Sequence, residues 1–276
     1  MKPAPFDYER PASVEAATQM LAQAQNARIL AGGQTLGPML NLRLAQPSLL
    51  VDITRIPDLV RVEERAGTVT LGACVTHAAI EDRRIGDFTQ GLLPRVARGI
   101  AYRAVRNRGT LGGSIAHADP AADWLTCFMA LGAAVLIQGE HGVREAAIGD
   151  FVRGALACDL RLGELITGIR LPRLSPDARW GYAKICRKEG EFAEAIGVYI
   201  SDPQRNFERL VAGAAGGPPL ILAPPPAASL PEADAGQMTR LLRDAGYVAD
   251  AYGMQIHAAA MLRAVREAAT VAQAAR

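Results

Sequence analysis

Two glycine-rich stretches carry the residue types from which an anion cradle is made. Residues 31–38 run Ala31, Gly32, Gly33, Gln34, Thr35, Leu36, Gly37, Pro38, and residues 109–114 run Gly109, Thr110, Leu111, Gly112, Gly113, Ser114. Residues without side chains let backbone N–H groups approach a diphosphate closely and point at it. Gln34, Thr35, Thr110 and Ser114 add an amide and hydroxyls, which bind phosphate without a countercharge. The chemistry expected is recognition of one large phosphate-bearing ligand, with a half-cradle from each stretch. A branched side chain at Gly112 or Gly113 should then stand against the diphosphate. Neither stretch has the Gly-x-Gly-x-x-Gly spacing of a Rossmann turn or the Gly-Lys-Ser/Thr ending of a triphosphate loop, so the ligand must be held in another way. Just downstream, His117, Asp119 and Asp123 bring metal-binding residue types close together. The fit to a metal is poor, because Pro120 marks a helix start with Asp119 as its natural cap.

The surrounding pattern supplies elements to position these turns. Ser13 is a cap candidate, and Val14, Ala17, Met20, Leu21 and Ala24 share one helical face. A strand at 28–30 enters the first turn, and an apolar strand at 49–53 follows it, a β-turn-α-β layout. Strands are expected at 68–75, 133–138 and 164–172, and helices at 78–81, 92–100 and 123–131. Residues 103–108 form a basic approach to the second turn. The Pro172–Pro176 stretch reads as a linker. Beyond it, 182–187, 195–200 and 208–214 suit a small antiparallel sheet. Residues 234–243 and 252–272 read as helices, and the proline-rich 218–231 as a loop.

At 276 residues, with half of them hydrophobic, 21% charged and a net charge of +2, the chain suits two packed domains and no polyanionic partner such as nucleic acid. No apolar run reaches the roughly 20 residues of a membrane span, and the first ten residues lack the apolar core of a signal peptide. A cytoplasmic location follows as the default. Cys74, Cys127, Cys158 and Cys186 lie tens of residues apart, whereas iron–sulfur clusters are held by closely spaced thiolates. They read as reduced structural thiols.

The two turns, in this order and separation, together with Phe6-Asp7-Tyr8, the 11–24 segment and the 181–188 segment, resemble the FAD-binding medium subunit of the molybdenum hydroxylases, the xanthine dehydrogenase and aerobic carbon monoxide dehydrogenase family. The resemblance covers most of the chain, fades after about Gly217, and is most specific at the second turn. It implies an α+β protein: a two-lobed FAD-binding domain of the vanillyl-alcohol oxidase (PCMH) type over 1–175, then a small C-terminal α+β domain with an antiparallel sheet over 176–276, of the carbon monoxide dehydrogenase flavoprotein type. It implies FAD bound by Ala31, Gly32, Gly33, Gln34, Thr35 and Leu36, by Thr110, Leu111, Gly112, Gly113 and Ser114, and by Ile100, His117, Asp119, Asp123, Ile166, Lys184 and Phe192. Within that set Asp123 would accept bonds from the ribose or adenine portion, Lys184 would engage phosphate or a reduced flavin, and Phe192 would shield one face of the ring. Read from the residues alone, Ile100 and Ile166 are equally core residues, Asp123 a structural carboxylate and Lys184 an ordinary surface lysine.

The resemblance further implies a large molybdopterin-binding subunit and a small [2Fe–2S] subunit as partners, in a dimer of heterotrimers. Electrons would pass through the FAD of this chain to a final acceptor. The alternative is a self-sufficient FAD-dependent oxidoreductase of the same fold. Gly37 and Thr35 depart mildly from the family pattern, and Gly253-Met254-Gln255 replaces an expected arginine-rich segment.

Overall fold

The structure, a computed structural model, describes residues 2–224 and 232–274, with side chains through residue 270. The first lobe runs β1 (Asp7–Glu9), α1 (Val14–Gln23), β2 (Ala27–Leu30), α2 (Leu36–Asn41) and β3 (Leu49–Asp52). Its strands are parallel in the order β1-β3-β2, so each must be joined by a crossover, and α2 is the crossover that makes the first glycine turn necessary. Ser13 caps α1 through a bond from Ala16 N–H at 3.2 Å. The helix buries Val14, Ala17 and Leu21 against Val51, Ile53 and Ile56. Asp52 clasps the edge: it accepts from the Tyr8 hydroxyl, Arg10 at 2.8 Å and Thr54 N–H at 2.9 Å. Burial opposes its ionisation, yet these donors hold its carboxyl down at about 2.

The second lobe contains β4 (Val62–Arg65), β5 (Thr68–Gly72), α3 (His77–Glu81), α4 (Leu92–Arg98), α5 (Arg103–Arg106), α6 (Leu111–His117), α7 (Asp123–Leu131), β6 (Ala134–Gly139), β7 (Gly142–Ala147), α8 (Ile148–Phe151), β8 (Val152–Gly154), β9 (Ala157–Cys158) and β10 (Leu165–Pro172). Five strands form one antiparallel sheet in the order β4-β5-β10-β6-β7. The helix α7 is buried on all sides and is the centre of the molecule. Trp124 and Phe128 stack there with centroids 5.2 Å apart, packed with Leu111 and Ile115 of α6 and Val135 and Ile169 of the sheet.

The C-terminal part has β11 (Arg179–Ile185), β12 (Ala195–Asp202), β13 (Phe207–Gly213), β14 (Leu220–Leu222), α9 (Ala235–Asp244) and α10 (Ala251–Ala274). The antiparallel sheet runs β11-β12-β13-β14. β12 is buried on both faces: Ile196, Val198 and Ile200 join the core around α7, while Tyr199 joins Met238, Met261 and Val265 under α9 and α10. The main core therefore crosses residue 175 without a break.

Some boundaries differ from the expectation. Pro120 does not open a helix: α7 begins at Asp123 with Ala122 as its N-cap, and Asp119 instead accepts from Ala121 N–H at 2.9 Å in a local turn. Residues 111–117, read from the sequence as part of the second glycine-rich turn, form α6, which Thr110 caps. Part of the expected 218–231 loop is β14, which gains a pairing edge on β13; residues 225–231 of that loop lie outside the described residues.

Candidate cofactor cleft

The two glycine turns meet across a cleft of about 610 Å³, at the junction of the two lobes. The chain leaves β2 at Leu30 and must reverse into α2, and in this reversal the carbonyls turn inward. Gly33 O accepts from Gly37 N–H at 2.9 Å, Thr35 O from Met39 N–H at 3.2 Å and Gly32 O from the Gln34 side-chain amide at 3.1 Å. The N–H groups of Gly32, Gly33, Gln34 and Thr35 have no acceptor among the described residues. Four consecutive free donors lining a cleft form an anion-binding concavity. Gly33 has φ +72°, a conformation glycine adopts without penalty. At Gly32 a Cβ would sit 2.2 Å from the Arg108 carbonyl oxygen, so the closeness of the two turns itself requires glycine there.

The second turn is different. Leu111 N–H donates to Val75 O at 3.0 Å, Gly112 N–H to Ala73 O at 2.8 Å, Gly113 N–H to Thr110 Oγ1 at 3.2 Å and Ser114 N–H to Thr110 O at 3.1 Å. The N–H groups from Leu111 to Ser114 are thus committed inside the protein, and what the turn offers the cleft is the hydroxyls of Thr110 and Ser114 and the Thr110 N–H, which has no acceptor among the described residues. A Cβ on Gly112 would lie 2.6 Å from Ala73 Cβ, and one on Gly113 2.9 Å from Thr110 Oγ1. The first obstacle at each position is therefore protein rather than ligand. Leu111 is fully buried in the core and does not line the cleft.

All the other sequence-predicted residues do line it: Ala31 to Thr35, Leu36, Ile100, His117, Asp119, Asp123, Ile166, Lys184 and Phe192. Asp123 is buried, and both its carboxylate oxygens are engaged, one by the Tyr182 hydroxyl and the other by Lys184 Nζ at 3.1 Å; Lys184 also donates to Gly99 O at 3.2 Å. Burial pushes the Asp123 carboxyl up, and the Lys184 ammonium and Tyr182 hydroxyl pull it back. Lys184 is therefore no surface lysine: it is one half of a buried ion pair at the cleft wall. Phe192 is 70% exposed.

Ile100 is held by a residue the sequence did not single out. Arg106 donates to the carbonyls of Ile100 and Ala101, both at 2.9 Å, and pairs with Glu81 at 2.7 Å. It fixes a loop in which Ala101 has φ +44°. Of the basic run 103–108, Arg106 is thus spent inside the protein, while Arg108 is exposed and reaches Gly32 O of the first turn at 3.5 Å. Arg103 is likewise tied to Asp82 and Glu81. His77 was also missed. It lines the cleft beneath Gly109 and is only 5% exposed. Nothing local marks it, since its partner Trp124 lies 47 residues away.

Residues 4–174 match the family described as the FAD binding domain in molybdopterin dehydrogenase. The chain belongs to this family. Among its relatives are the nicotine 6-hydroxylase medium subunit of Paenarthrobacter nicotinovorans, 36% identical over 79% of this chain and 77% of that one, and the carbon monoxide dehydrogenase medium chain of Hydrogenophaga pseudoflava, 38% identical over 71% and 68%. The quinoline 2-oxidoreductase structure from Pseudomonas putida 86 matches with a TM-score of 0.85 at 30% identity, over 99% of both chains. This molybdenum hydroxylase flavoprotein is an oxidoreductase subunit whose cofactor is FAD, built on the α+β fold of the family. The free donors of the first turn, the Thr110 and Ser114 hydroxyls and the apolar walls of Ile100 and Ile166 fit a flavin dinucleotide, which needs phosphate donors and a non-polar slot for its ring. No helix among the described residues is long and apolar enough to cross a membrane.

Proposed function

We propose that this chain holds one non-covalent FAD in the cleft between its two turns and works as the electron-relaying medium subunit of a heteromeric molybdenum hydroxylase. The observation that carries the site assignment is the run of four N–H groups at Gly32 to Thr35 that have no acceptor among the described residues. They bind the diphosphate, with the hydroxyls of Thr110 and Ser114 on its other side. Ile100, steadied by Arg106, and Ile166 flank the ring. Lys184 Nζ, held at the cleft wall by Asp123 and the Gly99 carbonyl, keeps one of its three N–H donors for a bound anion. Phe192 covers the mouth and limits water. When bound, FAD supplies the redox chemistry, accepting electrons and passing them on.

The partners we propose are a large molybdopterin-binding subunit and a small [2Fe–2S] subunit, assembled as a dimer of heterotrimers in the cytoplasm. Support comes from the relatives' names, which call them medium subunits or chains, and from cysteines too dispersed to hold a cluster. The end of the family match at residue 174 supports a domain boundary at 175, although the core is continuous there.

Purification from the native source, with metal and flavin analysis, tests this reading. Iron, molybdenum and FAD should co-purify with this chain, and acid precipitation should release FAD rather than FMN. A competent enzyme containing this chain alone, with FAD but neither metal, would favour the self-sufficient oxidoreductase.

A further inference from the structure

His77 sits where the two turns meet, and every part of it but one is held. Its backbone N–H donates to Gly109 O at 2.9 Å. Its ring lies so close to Gly109 that a Cβ there would be 2.8 Å from Cδ2 and Nε2. Its Nδ1 faces the indole Nε1 of Trp124 at 3.1 Å. An indole nitrogen can only donate, so Nδ1 must be the acceptor, and in a neutral ring the proton then resides on Nε2. The ring is neutral because burial, reinforced by the Arg106 charge, lowers its pKa to about 4. Nε2 has no partner among the described residues, and the residue lines the cleft beside Thr110 and Gly112. Nε2 is not one of the fully buried unpartnered atoms, so it stands open to the cleft as a donor that an acceptor lodged there can take up.

The geometry points to His77 as a cofactor-binding residue whose Nε2–H donates to an oxygen in the diphosphate region of the bound dinucleotide. This rests on the cleft being the FAD site. The second turn spends its N–H groups from Leu111 to Ser114 on packing, and His77 adds from beneath a neutral donor whose direction Trp124 sets. The arrangement also explains why a histidine serves where an arginine would not: the pocket receives a hydrogen bond and no buried charge.

The test uses the full chain, stripped of flavin and titrated with FAD. In protein labelled with ¹⁵N-histidine, His77 should show the neutral Nε2–H tautomer at pH 7, and that signal should shift as FAD saturates. His77→Phe keeps an aromatic ring, somewhat larger, and removes the Nε2 donor together with the Nδ1 acceptor of Trp124, and it should weaken FAD binding about 10- to 100-fold, the loss expected for one bond to a charged acceptor. Near-UV circular dichroism establishes that the variant is folded. If His77→Phe does not fold, the wild-type NMR titration decides alone. An Nδ1–H tautomer, an Nε2–H signal unmoved at FAD saturation, or a folded His77→Phe with wild-type affinity would overturn the inference while leaving the FAD site intact. Failure of the wild-type chain to take up FAD would overturn both.

Discussion

The two glycine turns are alike in composition and opposite in use. In the first, four N–H groups are free of any partner among the described residues, and its carbonyls hold the turn together. In the second, the four N–H groups from Leu111 to Ser114 are all bonded within the protein. Glycine at 33 serves backbone conformation, whereas glycine at 112 serves the approach of α6 to Ala73. A glycine-rich motif therefore has two physical meanings, a surface that donates and a surface that packs. Only the destination of each N–H separates them.

The difference is sharpest in the response to substitution. Gly112→Val forces a branched side chain into Ala73 and should destabilise the fold by about 3 kcal/mol, seen as a lower urea midpoint of the flavin-free protein. A normal midpoint with FAD lost would return the second turn to direct diphosphate contact. Next comes the pH response of His77, packed under the second turn. The unfolded imidazole takes a proton below its ordinary 6.5, and the folded one only near 4. Stability must therefore rise with pH across that window and level off above it, by roughly 3 kcal/mol for this group. Urea titrations at pH 4.5, 5.5 and 7 should show the slope, and His77→Phe should flatten it.

Gly33→Ala lies in the first turn and should cost only about 1 kcal/mol of stability, from its left-handed conformation, yet lower FAD affinity at least tenfold as the donors re-aim. Equal effects at Gly33 and Gly112 on both measurements would erase the contrast between the turns. Thr110→Ala removes the cap of α6 and should cost about 1 kcal/mol. Thr110→Ser should restore it, since the hydroxyl is what accepts from Gly113 N–H.

Much of the scaffold was legible because it is written locally. The Ser13 cap, the helix over 14–23 and the strands flanking the first turn follow from spacing and capping chemistry within a few residues. The helix at 123–131 was placed to the residue. The helix at 111–117 was not, because two glycines and a serine have low helix propensity, and it stands only because Thr110 caps it and the core receives Leu111 and Ile115.

By itself the sequence determined that two glycine-rich stretches are present, that a β-turn-α-β unit carries the first, and which family the chain resembles; all three depend on residue type and short spacing. Tertiary structure alone decided which turn keeps its N–H groups free, that Lys184 is paired with Asp123 from 61 residues away, and that Trp124 orients His77. Hydrogen-bond partners and burial belong to the packed chain: a lysine or histidine carries no local mark of the carboxylate or indole that will face it once the lobes close together.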